Sequence, residues 1–104
     1  MAELITENEL EIKVRSFKDK STDRIVVSAN QRSEKWFLKV THTQKIENIA
    51  NIANIANIEY KYIYKIKIRD ENKEKSYTSL DKLAKRLKEI GIEVFAIALT
   101  DSEI

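Results

Sequence analysis

The stretch Ile58–Asp70 reads IEYKYIYKIKIRD, and its alternation decides the fold class. Even positions hold Ile58, Tyr60, Tyr62, Tyr64, Ile66 and Ile68, while odd positions hold Glu59, Lys61, Ile63, Lys65, Lys67 and Arg69. A period of two is the mark of a strand with one apolar side and one wet side. Twelve residues at ~3.3 Å each reach roughly 40 Å, about twice a usual strand. Such a strand bends or overruns its sheet.

Working towards the C-terminus, Asp70–Lys75 is a charged turn, and Ser76–Thr78 is expected to pair briefly with the end of the long strand. A helix follows. Thr78 with Asp81 makes a weak capping box and Ser79 is the alternative cap. Leu80, Leu83, Ala84 and Leu87 form one apolar stripe at i, i+3, i+4 and i+7, with Lys82, Lys85, Arg86 and Lys88 facing away. Gly91 stands where a left-handed residue closes a helix. Ile92–Leu99 is apolar at nearly every position and reads as a central strand covered on both faces.

Working towards the N-terminus, Lys35–Thr43 alternates with Trp36, Leu38, Val40 and His42 on one side. Asn30–Glu34 is a polar break. Arg24–Ala29, with the β-branched run Ile25, Val26 and Val27, reads as the return strand of a hairpin. Lys18–Asp23 is a polar turn. Leu10–Phe17 places Leu10, Ile12 and Val14 opposite Glu11, Lys13 and Arg15, and reads as another half-buried strand. Between Ile46 and Tyr60 the chain runs IENIANIANIANIEY, with Ile every third residue. That spacing fits neither regular period. The alanines favour and the asparagines oppose a short helix over 44–57, and the repeat reads either as a tolerated lengthening of a connection or as a surface for self-association. The expected architecture is α+β in a single domain over 1–104: a four- or five-stranded, mostly antiparallel sheet with the Leu80–Ile90 helix on its apolar side.

Composition narrows the chemistry. With 42% apolar and 35% charged residues and a net charge of +2, the 104-residue chain is globular rather than charge-dominated. The absence of cysteine removes disulfides and thiolate metal sites. A single glycine cannot build a phosphate-cradling loop. One histidine, His42, must carry any histidine-dependent catalysis; placed at a strand end, it reads as a surface residue. The acid pairs Asp70/Glu71 and Asp101/Glu103 sit in a turn and a tail, which do not hold two carboxylates rigidly. No cofactor and no metal are expected. The acidic, polar Met1–Leu10 lacks the features of a signal peptide and no apolar run reaches membrane-spanning length, so a cytoplasmic protein with no membrane partner is expected.

The remaining signal is a one-sided display of charge. If the strands share a sheet and bury their apolar sides, Lys13, Arg15, Lys35, Lys39, Lys61, Lys65, Lys67 and Arg69 share the outer face with only Glu11 and Glu59. Lysine on exposed strands also keeps sheets soluble, but a field of one sign steers anionic partners. The expected partner-binding residues are therefore Lys13, Arg15, Lys39, Lys61, Lys65, Lys67 and Arg69. The tyrosines lie on the opposite side from these cations and read as core or interface residues, which disfavours a base-stacking platform. The expected function is a small non-enzymatic binding protein, a regulator, adaptor or inhibitor of a macromolecular partner with an acidic surface, and a homo-oligomer. The rival is a nucleic-acid-binding protein using the same cations.

Overall fold

The computed structural model describes residues 2–18, 20, 22–46 and 58–98. Seven elements follow one another: β1 (Glu3–Ile5), α1 (Glu7–Phe17), β2 (Asp23–Arg32), β3 (Lys35–Ile46), β4 (Ile58–Ile66), α2 (Leu80–Ile90) and β5 (Ala96–Ala98). The fold is α+β, with five strands in the order β1-β4-β3-β2-β5. The two central pairings are antiparallel, with ten register pairs between β2 and β3 and eight between β3 and β4. The two outer pairings, β1 with β4 and β2 with β5, are parallel and only three residues long. Short edges of this kind limit sheet-to-sheet pairing. No helix among the described residues is long and apolar enough to cross a membrane.

The topology explains why one face is covered and the other is not. β1, β2, β4 and β5 all point one way, so β1-α1-β2 and β4-α2-β5 are both parallel crossovers. Each moves three lanes in the same direction across the sheet. Crossovers of one hand travelling one way must carry their helices over the same face. Accordingly, Leu10 from α1 and Leu83, Leu87 and Ile90 from α2 share one core with Val27, Ala29, Leu38, Val40, Tyr64 and Ile66.

α2 spans the residues its apolar stripe marks out. Ser79 caps it by accepting from the Lys82 N–H at 3.1 Å, and Gly91 ends it at φ 107°, with its N–H on the Leu87 and Lys88 carbonyls. α1 replaces the strand expected over Leu10–Phe17. Thr6 and Glu9 form a reciprocal capping box, and Glu7 and Glu9 place negative charge in the first turn, where the helix dipole favours it. Leu10, Val14 and Phe17 then fall at i, i+4 and i+7 towards the sheet, leaving Ile12 64% exposed. Leu10 and Val14 fit a helical face as well as a strand face, whereas Ile12, which only the strand period groups with them, points to solvent.

Three further expectations are corrected. Over its described part, Ile92–Leu99 is not a central strand: among the described residues only Ala96–Ala98 pairs, at an edge, and Val94 is 83% exposed. The break at Asn30–Glu34 shrinks to a two-residue turn at Ser33 and Glu34, both left-handed (φ 51° and 66°), the backbone that matches the twist of a hairpin. Ser76–Thr78 does not follow the long strand. Instead the chain turns sharply after Ile68, so that Lys75 N–H meets the Ile66 carbonyl, and Tyr77 exchanges two backbone hydrogen bonds with Trp36 of β3. The returning segment thus takes the place beside β3 that β4 vacates. Of the short helix expected at 44–57, Gln44–Ile46 belongs to β3 and 47–57 lies outside the described residues.

Candidate functional site

With both helices on one side, the odd-numbered positions of β3 and β4 and the even-numbered positions of β2 form an uncovered sheet face. Register sets its rows. Arg24, Thr43 and Lys61 lie across the sheet in one row, Val26, Thr41 and Ile63 in the next, and Ser28, Lys39 and Lys65 in the one after. Beyond these, Lys45 faces Glu59, and Arg32 pairs with Lys35. Lys67 bridges to Glu74, whose carboxylate takes the Arg32 guanidinium at 2.7 Å. The face therefore holds eight cations (Arg24, Arg32, Lys35, Lys39, Lys45, Lys61, Lys65 and Lys67) against the carboxylates Glu59 and Glu74. Among the described residues no carboxylate lies within ion-pair distance of Lys39, Lys61 or Lys67.

Lys39, Lys61, Lys65 and Lys67 thus come together as the alternation implies. Lys13 and Arg15 do not join them. Both ride on α1, across the sheet from this face, where Lys13 sits 4.8 Å over the Tyr64 ring and Arg15 pairs with Glu11 one helical turn away. The difference follows from α1 being a helix where alternation predicts a strand. Arg69 lies exposed in the turn after β4 and belongs to no ladder. In their place Arg24, Arg32 and Lys45 join the surface. Arg24 and Arg32 were legible only once the true length and phase of β2 were known, and Lys45 only once β3 was seen to run on to Ile46.

The middle of this face is apolar. Val26, 50% exposed, and Ile63 flank Thr41, with cationic rows above and below. Phe37, the one aromatic residue on the face, is covered by the Arg32 guanidinium 3.9 Å from its ring centroid. It presents no open ring for a base. Tyr60 and Tyr62 are 44% and 41% exposed but lie on the helix side, nearer the hairpin end, while Tyr64 is core.

Two polar clusters on the helix side tie elements together. Glu7, at the start of α1, accepts from the Tyr77 hydroxyl at 2.5 Å and from Arg86 Nε at 3.1 Å, and lies 3.1 Å from Lys75 Nζ. Burial works to raise the Glu7 carboxyl, but these three donors and the Lys75 charge outweigh it and hold the group below its ordinary range. Burial, with the Glu7 hydrogen bond added, pushes the Tyr77 phenol far up, so it remains a donor. The cluster pins α1, α2 and the Tyr77 segment. Arg86 is accordingly not part of a solvated helix face, unlike the exposed Lys82, Lys85 and Lys88.

The second cluster corrects the reading of His42 as a surface residue. Because β3 runs on to Ile46, His42 sits mid-strand and is 6% exposed. Its ring stacks between Phe17 (centroids 4.3 Å apart) and Tyr62 (5.4 Å). Nε2 lies 2.7 Å from Asp23 Oδ1, and Nδ1 is buried without a hydrogen-bond partner. The His42 hydrogen bond holds the Asp23 carboxyl below its ordinary value, with further help from Thr22 and the His42 and Lys20 charges against the effect of burial. Closed off in this way, the imidazole pins α1 to the sheet rather than meeting a substrate. Among the described residues no group of three His, Asp or Glu side chains could hold a metal ion. Comparison with protein-family models, curated proteins and solved structures returned no match.

Proposed function

We propose that this chain is a non-enzymatic binding protein, a regulator, adaptor or inhibitor, that lays its uncovered sheet face against an acidic protein surface. The observation that supports this reading is the pattern on that face: a row of exposed Val26 and half-buried Thr41 and Ile63, bordered by cationic rows. An apolar centre with a charged rim is the anatomy of a protein interface. Cations of one sign speed encounter with an acidic partner and set its orientation. A phosphate backbone also answers to lysines, but single-stranded nucleic acid readers pair them with open aromatic rings, and here Phe37 is covered. A second copy is the expected occupant of the exposed Tyr60 and Tyr62 side of β4.

Affinity capture with the wild type and with Lys39→Glu/Lys61→Glu, run side by side with mass spectrometry, tests the reading. An acidic protein held by the wild type and released by the double variant at about 0.15 M salt supports it. A capture dominated by RNA or DNA, with affinity falling steeply in log–log salt titration, replaces it by the nucleic-acid reading. Identical captures on both baits refute both.

A further inference from the structure

A second surface, independent of the sheet face, lies at the start of β2. β5 pairs only with Ser28, Ala29 and Asn30. From Asp23 to Val27, β2 has β3 on one side and, among the described residues, no strand on the other. The Thr22 carbonyl accepts from Lys45 N–H at 2.8 Å, so even-numbered positions here turn their backbone groups towards β3. By the alternation of an antiparallel ladder, the N–H and C=O groups of Asp23 and Ile25 turn outward, and so does the Val27 N–H, while the Val27 carbonyl meets β5 where Ser28 pairs with Ala96. Beside this open edge lies a groove of about 820 Å³, within the range of roughly 300–1,000 Å³ usual for binding clefts. Val14 and Phe17 of α1, Ile25 and Val27 of β2, and Ile92 and Val94 after α2 line it.

We propose that this edge and groove take up an extended peptide as an added strand, with apolar side chains at alternate positions entering the groove and acidic residues at its flanks. A row of backbone donors and acceptors at a strand's repeat is complementary to another extended backbone, and the pocket beside it selects every second side chain. The flanks follow from charge. Lys18 and Lys88 stand at the rim, beside Arg15, which Glu11 engages. Of the carboxylates there, Asp23 is engaged by His42 and Glu89 by Arg86, leaving Glu93.

The probe is a fluorescein-labelled peptide, Ac-EEITVTIEE, read by anisotropy and by residue-resolved amide exchange. Saturable binding is expected, with the Ile25 and Val27 amides slowed. The same peptide N-methylated at alternate residues loses binding. Lys18→Glu/Lys88→Glu, two exposed substitutions that leave the core intact, weakens binding about tenfold, the reach of one or two rim charges, and favours the lysine-flanked peptide Ac-KKITVTIKK. Lys39→Glu/Lys61→Glu leaves binding unchanged, which separates this site from the sheet face. No saturation at millimolar peptide overturns the proposal. So do equal binding of the N-methylated form, unaltered exchange at Ile25 and Val27, and protection of those amides by dimerisation of the chain alone.

Discussion

Replacing Glu7 by Gln keeps the side chain's shape and removes its charge, so it isolates what the carboxylate contributes to the join between α1, α2 and the Tyr77 segment. The Tyr77 hydroxyl is buried and its 2.5 Å contact is charge-assisted. Such bonds are roughly twice as strong as neutral ones, so the amide forfeits about 1–1.5 kcal/mol there. Arg86 and Lys75 are 33% and 37% exposed in their side chains, and water screens them to about 0.5 kcal/mol each. Loss of the negative charge in the first turn of α1 adds about 0.5 kcal/mol. The total is about 2.5–3 kcal/mol, which for a chain of this size lowers Tm by roughly 10–24 °C. Urea and thermal unfolding followed by circular dichroism measure it. A double-mutant cycle with Tyr77→Phe separates the hydroxyl's share, expected at about 1–1.5 kcal/mol. A cost below about 0.5 kcal/mol for Glu7→Gln, with the cycle showing no coupling, refutes the claim that this carboxylate joins the three elements.

Acid should expose the same group. Glu7 and Asp23 both have folded-state pKa values below their ordinary ones, so each adds stability above its unfolded value, lost as pH falls through the lowered folded value. Unfolding midpoints measured downward from pH 6 should drop below about pH 4.5, and Glu7→Gln should flatten part of that fall. Thr6→Ala removes one arm of the capping box and should cost about 1 kcal/mol in urea unfolding, a loss that a strand at Leu10–Phe17 would not show. Ser33→Asn/Glu34→Gly supplies residues that accept left-handed backbone and should stabilise the hairpin by about 1 kcal/mol; a neutral or destabilising result contradicts the turn geometry.

The elements read best from the sequence are those with one period and clear ends. α2 has four apolar residues at helical spacing, a serine cap and Gly91, and β4 alternates over its whole length. α1 was ambiguous because Leu10 and Val14 fit both periods; Thr6 and Glu9, spaced as a capping box, were the local signal that could have decided it. The parallel edges were not legible, since lane order depends on contacts between segments far apart in the chain. That nonlocal order governed the candidate site. Lys39, Lys61, Lys65 and Lys67 were placed together because alternation within β3 and β4 is local, whereas Lys13 and Arg15 moved across the sheet with their helix. The burial of His42 is nonlocal in the same way: its partner Asp23 is nineteen positions away, and nothing near it in sequence marks the burial.

Lysine footprinting of the complex obtained by affinity capture tests the docking face most directly. Bound and free chains are acylated and the modified residues compared by mass spectrometry. Protection of Lys39, Lys61 and Lys67, with Lys13, Lys82 and Lys85 still reactive, is the result expected of a partner seated on the uncovered sheet. Protection of the helix-side lysines, with Lys39, Lys61 and Lys67 as reactive as in the free chain, contradicts it.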